Sequence, residues 1–125
     1  MDAAARARGT GVETSDGVRL HVTDTGHGSP VLLLHEYAGD HRSWSRQVAD
    51  LGSDHRCVTF AARGYLPSDV PTTPSAYSWQ RAVADAVTVL DALDIGSAHV
   101  VGLSMGGNTA VQLGLRRPDR VRSIM

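Results

Sequence analysis

Gly102-Leu103-Ser104-Met105-Gly106 is the segment whose residue types and spacing best fit chemistry. Two glycines and a serine at fixed spacing are a weak pattern alone, because such triplets recur by chance. The surroundings give it weight. The apolar run Ala98-His99-Val100-Val101 reads as a buried strand feeding the segment, and a helix from about Gly106 to Arg116, stopped by Pro118, leaves it. A strand turning sharply into a helix holds its serine in strained backbone geometry. Glycine is then needed two residues either side, where a Cβ would collide with the neighbouring strand or helix. The hydroxyl projects above the sheet, beside a helix N-terminus that favours developing negative charge. Ser104 is therefore a candidate nucleophile. The alternative reading of this segment is a serine that caps a helix after a glycine-rich turn.

The elements needed to position that serine can be followed along the chain. Residues 1–10 are a lead-in without a pairing pattern. Strands are expected over Gly11–Thr14 and Val18–Asp24, joined through Ser15-Asp16-Gly17, a hairpin signal. Val31-Leu32-Leu33-Leu34 and Arg56–Phe60 are continuous runs of the kind found in strands covered on both faces. Between them Ser43 can cap a helix with Trp44, Val48 and Leu51 on one stripe. Residues 65–77, with Pro67, Pro71 and Pro74, read as a long loop. Ser78 caps a further helix whose inward face is Val83, Val87 and Leu90, with Ile95 beyond its end, while Arg81, Asp85 and Asp91 are expected in water. Gly96 suits its C-terminal turn. Val121–Met125 opens one more strand. Strand and helix alternate after the hairpin, which predicts an α/β fold: a mostly parallel sheet with helices on both faces.

Composition narrows the function classes. The 125 residues carry a formal net charge of −1, with 42% hydrophobic and 20% charged side chains. That balance offers no electrostatic case for nucleic acid or an anionic membrane as partner. All 12 basic residues are arginine, scattered among 13 acids, which fits codon bias better than a recognition surface. Cys57 is the single cysteine, so no internal disulfide can form; within Cys57-Val58-Thr59-Phe60 it reads as a buried strand thiol. The first residues lack the apolar stretch of a secretory signal, and no run approaches the roughly 20 residues of a membrane span. The expected location is the cytoplasm. His35-Glu36 is not followed by histidine at a zinc-protease spacing, and His21, Asp24 and His27 read as polar residues at strand ends. No glycine run fits a dinucleotide or phosphate loop. No metal and no cofactor are expected.

Further motifs lie in a telling order. His35-Glu36-Tyr37-Ala38-Gly39 directly follows the Val31–Leu34 strand and resembles the His-Gly-x-x-Gly loop of the α/β-hydrolases. Arg42-Ser43-Trp44 is similar to that family's helix start. Arg63-Gly64-Tyr65-Leu66-Pro67-Ser68-Asp69 resembles its Arg-Gly-x-Gly-x-Ser-Asp stretch, and Pro118-Asp119-Arg120-Val121 its approach to the sixth strand. The resemblance covers about residues 30 to 125. It implies the N-terminal half of an α/β-hydrolase domain over 11–125, truncated at the start of strand 6. It further implies that Ser104 is the nucleophile, with the backbone N–H groups of Tyr37 and Met105 as oxyanion donors. Glu36 stands where the family has glycine; its carboxylate is expected to turn away from the oxyanion, towards Arg42 or Arg63. Leu66 replaces the second glycine of the loop motif, and Ala61 stands where an acid is common.

In this fold the nucleophile is followed along the chain by an acid and then a histidine. Met105 to Met125 hold one acid, Asp119, and no histidine; all six histidines precede Ser104. His35 lies nearest the site, but at a position that supports the oxyanion loop in the family. Without a base the serine hydroxyl is a poor nucleophile. Three sheet strands and the lid would also be missing, leaving an exposed edge beside Ala98–Gly102. The expected function is a serine hydrolase of small esters, lactones or similar acyl compounds, with this chain an incomplete fragment of it. Within the family a serine argues against haloalkane dehalogenases and epoxide hydrolases, which use aspartate. It leaves esterases, lactonases, cofactor-free perhydrolases and carbon–carbon-bond hydrolases. The alternative is a short non-catalytic chain that binds a ligand or partner. The oligomeric state is left open.

Overall fold

A computed structural model of the chain describes residues 8–125. Residues 1–7 of the expected lead-in lie outside the described residues, whereas 8–10 already belong to a strand. One sheet contains β1 (Arg8–Glu13), β2 (Arg19–Thr25), β3 (Ser29–Leu34), β4 (His55–Phe60), β5 (Ala98–Gly102) and β6 (Val121–Ile124), in the spatial order β1-β2-β4-β3-β5-β6. β1 and β2 form the antiparallel hairpin expected from Asp16-Gly17, and the Gly17 N–H donates to the Thr14 carbonyl at 3.0 Å. β2 runs antiparallel to β4, while the pairs β4/β3, β3/β5 and β5/β6 are parallel. Helices α1 (Ser45–Leu51), α2 (Trp79–Ala92) and α3 (Met105–Arg116) complete the α/β architecture. The expected open edge at β5 is not there. β6 pairs along it, and the Gly102 N–H reaches the Met125 carbonyl at 3.0 Å, so the sheet ends at β6.

β3 and β4 are buried over their last four residues, which is why they read as unbroken apolar runs. Alternate side chains go to opposite faces. Leu32, Leu34, Val58 and Phe60 join Val83, Val89 and Leu90 of α2 and Leu113 of α3 in the main core. Val31, Leu33 and Cys57 face the other way, against Trp44, Val48 and Leu51. Each fully buried Leu or Val contributes roughly 1.5–3 kcal/mol, so the larger α2/α3 face carries most of the stability. Burial also pushes the Cys57 thiol pKa up, keeping it protonated and unreactive. Among the described residues no helix is long and apolar enough to cross a membrane.

The helix ends differ in part from expectation. Ser78 does cap α2, accepting from the Arg81 N–H at 3.0 Å. Ser43 caps nothing: it lies inside a 3₁₀ turn (His41–Trp44) that precedes α1, and Asp40 caps that turn through the Arg42 N–H at 2.9 Å. The C-terminal turn of α2 uses Asp94 at φ 56°, not Gly96. The Asp94 and Ile95 N–H groups close it on the Asp91 and Leu90 carbonyls, and an aspartate tolerates the left-handed region better than most residues.

The largest correction concerns Asp85. Expected in water, it is 2% exposed and grips the equally buried Arg63, Nε to Oδ2 at 2.7 Å and Nη2 to Oδ1 at 2.8 Å. Arg63 also donates to Asp16 in the hairpin turn at 2.9 and 3.1 Å, and to the Ala76 carbonyl at 2.9 Å. Burial works against the Arg63 charge, but its hydrogen bonds to Asp16 and Asp85 outweigh that and raise its pKa. One guanidinium thus clamps the hairpin, the loop after β4, the lead-in to α2 and α2 itself. Removing Asp85 would leave part of that charge buried without its partner. Asp85→Ala is expected to cost about 3 kcal/mol of unfolding free energy, the lower end for a broken buried pair because Asp16 remains. Denaturant unfolding measures it; a loss below about 1 kcal/mol would show that the clamp is not structural.

Candidate active site

β5 delivers Ser104 at its C-terminal end, and α3 begins at the next residue. Ser104 is exposed and has φ 55° and ψ −111°, a conformation in which a residue with a Cβ is strained. Its hydroxyl does not cap α3, although it occupies the cap position. The capping alternative therefore has no bond to support it. The helix opens instead through backbone, with the Asn108 N–H on the Ser104 carbonyl at 3.0 Å. Both flanking glycines are sterically required. A Cβ on Gly102 would run into the Gly106 carbonyl and lie 2.7 Å from the Gly107 Cα; one on Gly106 would meet the Leu34 carbonyl and lie 2.8 Å from the His35 oxygen. The latter contact sets the first turn of α3 directly against the end of β3.

That end of β3 runs into the His35–Gly39 loop. His35 is 3% exposed, and both of its ring nitrogens are engaged. The Ala62 N–H donates to Nε2 at 3.0 Å, so Nε2 is the acceptor and the proton sits on Nδ1, which donates to the Glu36 carbonyl at 2.7 Å. His35 thus has no nitrogen free to act as a base. Its bond has a second effect. In a trans peptide the carbonyl and the N–H point in opposite directions. Holding the Glu36 carbonyl on His35 therefore aims the Tyr37 N–H away from it. Among the described residues neither the Tyr37 N–H nor the Met105 N–H donates to a backbone carbonyl.

Glu36 finds neither expected partner. Arg42 is bound to Asp40 and Arg63 to Asp16 and Asp85. The Glu36 carboxylate instead folds back over its own loop against Gly39, with Oε1 buried and without a hydrogen-bond partner. Asp119 is remote from acid–base duty too, paired with Arg117 at 3.1 Å beyond the far end of α3. Residues not singled out from sequence also surround the site. Tyr65 donates its hydroxyl to the Tyr37 carbonyl at 2.8 Å, and its ring stands edge-on to His35. Phe60, Tyr77 and Trp79 line a cavity of about 740 Å³ together with Tyr37, Tyr65 and Met105. Aromatic residues bounding a proline-rich loop were the available signal, but only the fold brings them to one wall.

The sequence pattern of the α/β hydrolase fold matches residues 29–125, and the chain belongs to that family. An epoxide hydrolase from Caballeronia sordidicola is 35% identical over 111 residues, covering 88% of this chain and 34% of that protein. 3-Oxoadipate enol-lactonase 1 from Acinetobacter baylyi is 40% identical over 97 residues, covering 77% and 35% respectively. Among solved structures, an epoxide hydrolase from Vigna radiata superposes with a TM-score of 0.91 at 30% identity, covering 96% of this chain and 39% of that one. A hydrolase from Pseudomonas aeruginosa gives 0.88 at 30%, covering 94% and 44%. The chain spans about a third of the length of the curated relatives it matches. Epoxide hydrolases, disfavoured above on the ground of Ser104, are prominent among these relatives.

The contact of Gly106 with two carbonyls of the β3 end yields a test. Gly106→Ala must push α3 off Leu34 and His35, an overpacking expected to cost about 1–3 kcal/mol. Thermal melting should show the loss, since the elbow and the His35 loop are pushed apart. A variant with an unchanged melting temperature would contradict this geometry.

Proposed function

We propose that Ser104 is the nucleophile of a hydrolase acting on small esters, lactones or similar acyl compounds. The observation that carries this reading is the strained, exposed serine at a strand-to-helix turn whose hydroxyl does no capping. Oγ would attack the carbonyl carbon while its proton passes to a base. The carbonyl oxygen takes up the electron pair and would be met by the Tyr37 and Met105 N–H groups. Such a donor is worth roughly 3–4 kcal/mol in acyl-transfer sites. Collapse of that adduct expels the alcohol and leaves an acyl-serine, which water then cleaves. The base and its orienting acid are proposed to come from sequence beyond Met1–Met125, in the family's order of serine, acid, histidine. Support comes from the span of about a third of its relatives and from the engagement of both His35 nitrogens. A cytoplasmic setting accords with a lone, buried thiol.

The epoxide hydrolase relatives favour a second reading, and the chemistry of the nucleophile weighs against it. A carboxylate that opens an epoxide forms an ester, which water can cleave at its carbonyl. A serine oxygen opening the same ring would form a dialkyl ether, which has no carbonyl to attack and would end turnover. The lactonase, with its acyl substrate class, is the relative whose chemistry a serine can complete.

In the full-length protein Ser104→Ala is expected to lower p-nitrophenyl ester hydrolysis by about 10³-fold or more. Melting temperature should be nearly unchanged, since only an exposed hydroxyl is lost and the Cβ that carries the strain remains. Retention of over about a tenth of the rate would remove Ser104 from the mechanism. Wild-type protein should turn over esters and not styrene oxide; the reverse preference would favour the epoxide reading.

The 125-residue chain on its own is expected to react with a fluorophosphonate far more slowly than the full-length protein, because no histidine follows the serine. Stoichiometric labelling at the full-length rate would reveal a base within this chain.

A further inference from the structure

We propose that Tyr65 is a positioning residue for the reaction, holding in place the turn that carries the Tyr37 N–H through a hydrogen bond to the Tyr37 carbonyl. The proposal rests on the reading of Ser104 as nucleophile and of Tyr37 as oxyanion donor. Tyr37 sits in an exposed turn with its own side chain 76% exposed, its ring edge-on to that of Tyr65 at 6.4 Å. The Tyr37 N–H lies in the peptide plane it shares with the Glu36 carbonyl, and the next plane, beyond the Tyr37 Cα, limits how far that one can turn. His35 holds the first through the Glu36 carbonyl at 2.7 Å. The second plane carries the Tyr37 carbonyl, and Tyr65 Oη holds it at 2.8 Å. With both planes fixed, the φ and ψ of Tyr37 have no freedom left, and a donor aimed in advance loses no reorganisation energy as charge develops.

Tyr65 is itself firmly seated. Its N–H bonds to the Ala62 carbonyl at 2.9 Å, its carbonyl accepts from the Ser68 N–H at 2.9 Å, and its ring packs 4.8 Å from the His35 ring. Its hydroxyl also touches Met105 Sδ at 3.7 Å. One side chain thus lies across both residues whose N–H groups would meet the oxyanion, tying the elbow to the His35 loop. Burial raises the Tyr65 pKa, with Tyr37 and Glu36 adding to it, so the phenol stays protonated and able to donate.

The test compares wild type, Tyr65→Phe and a variant with 4-aminophenylalanine at position 65, each as full-length protein, with an alkyl fluorophosphonate and a p-nitrophenyl ester. Phenylalanine keeps the ring against His35 and loses only the donor; the amino analogue restores a donor at the same place. Tyr65→Phe should lower kcat and the phosphonylation rate about tenfold, with KM within about twofold and melting temperature nearly unchanged. The amino variant should recover most of that rate, which ring packing alone would not explain. Phosphonylation of Tyr65→Phe within about twofold of wild type would overturn the proposal, as would a rise in KM with kcat intact. So would a loss that the amino analogue fails to restore. No labelling of the wild type would remove the serine reading and this proposal with it, whereas equal labelling of wild type and Tyr65→Phe would remove this proposal alone.

Discussion

The constraint on which the rest of the site depends is the direct contact between the first turn of α3 and the end of β3. Gly106 lies on the Leu34 and His35 carbonyls, closer than any side chain would permit, and the Leu103 N–H bonds to the Leu34 carbonyl at 3.2 Å. That contact sets the spacing between the elbow and the His35 loop, hence between the two N–H groups proposed to stabilise an oxyanion. It also explains why Ser104 holds a strained conformation. The chain must leave β5, reverse direction and enter a helix already pressed against a neighbouring strand, and a wider, relaxed turn would lift α3 off β3.

Two layers of support stand behind that contact. On one side of the sheet the α2/α3 core holds α3 down through Ala110 and Leu113. Above the strand ends, the loop after β4 braces the His35 loop through backbone and side chain: the Ala62 N–H on His35, and the Tyr65 hydroxyl on Tyr37. That bracing loop carries three prolines and no regular element longer than the Pro74–Ala76 turn, so something must hold it. Arg63 does so, buried between Asp16 and Asp85 and bound to the Ala76 carbonyl. A buried charge is costly in itself, and its use here is to specify one arrangement of four segments that apolar packing would leave free to slide.

What could be read from sequence divides along the same physical line. The elbow, the hairpin and the core strands were legible because each is dictated locally, by a glycine next to backbone, a turn residue, or a run of apolar side chains. The burial of Asp85 is not legible in the helix itself, because an acid on an amphipathic helix belongs in water unless a cation meets it. The cation that does so, Arg63, stands 22 positions away in a loop. Glu36 was paired with arginines near it in motif order, yet Arg42 and Arg63 are taken by Asp40, Asp16 and Asp85. Tyr65 went unnoticed for the same reason: its bond to Tyr37 spans 28 positions. Ser43 and Gly96 fit the statistics of caps, but Asp40 caps the turn ahead of α1 and Asp94 takes the left-handed position after α2. Local chemistry was visible in the chain; the choice among competing partners was made by the fold.

The same division bears on how one scaffold can serve relatives with different names. The groups proposed to face the oxyanion are main-chain N–H groups, held by His35, Tyr65 and the glycine contact, and none of these depends on which atom attacks. The His35 ring is fully spent on holding a peptide, so it cannot also move the proton of Ser104. On the proposed reading, charge stabilisation and proton transfer are separate tasks, the first falling to main-chain N–H groups of these residues and the second to a group other than His35. Known acyl-transfer sites keep about 10³–10⁴-fold catalysis without their triad, which shows that the first task has value alone. If the elbow residue is the nucleophile, as proposed, its chemistry decides which substrates can turn over. A carboxylate attacking an epoxide would leave an ester that water can cleave, whereas the proposed serine would be matched to an acyl substrate, from which it leaves a cleavable acyl-serine.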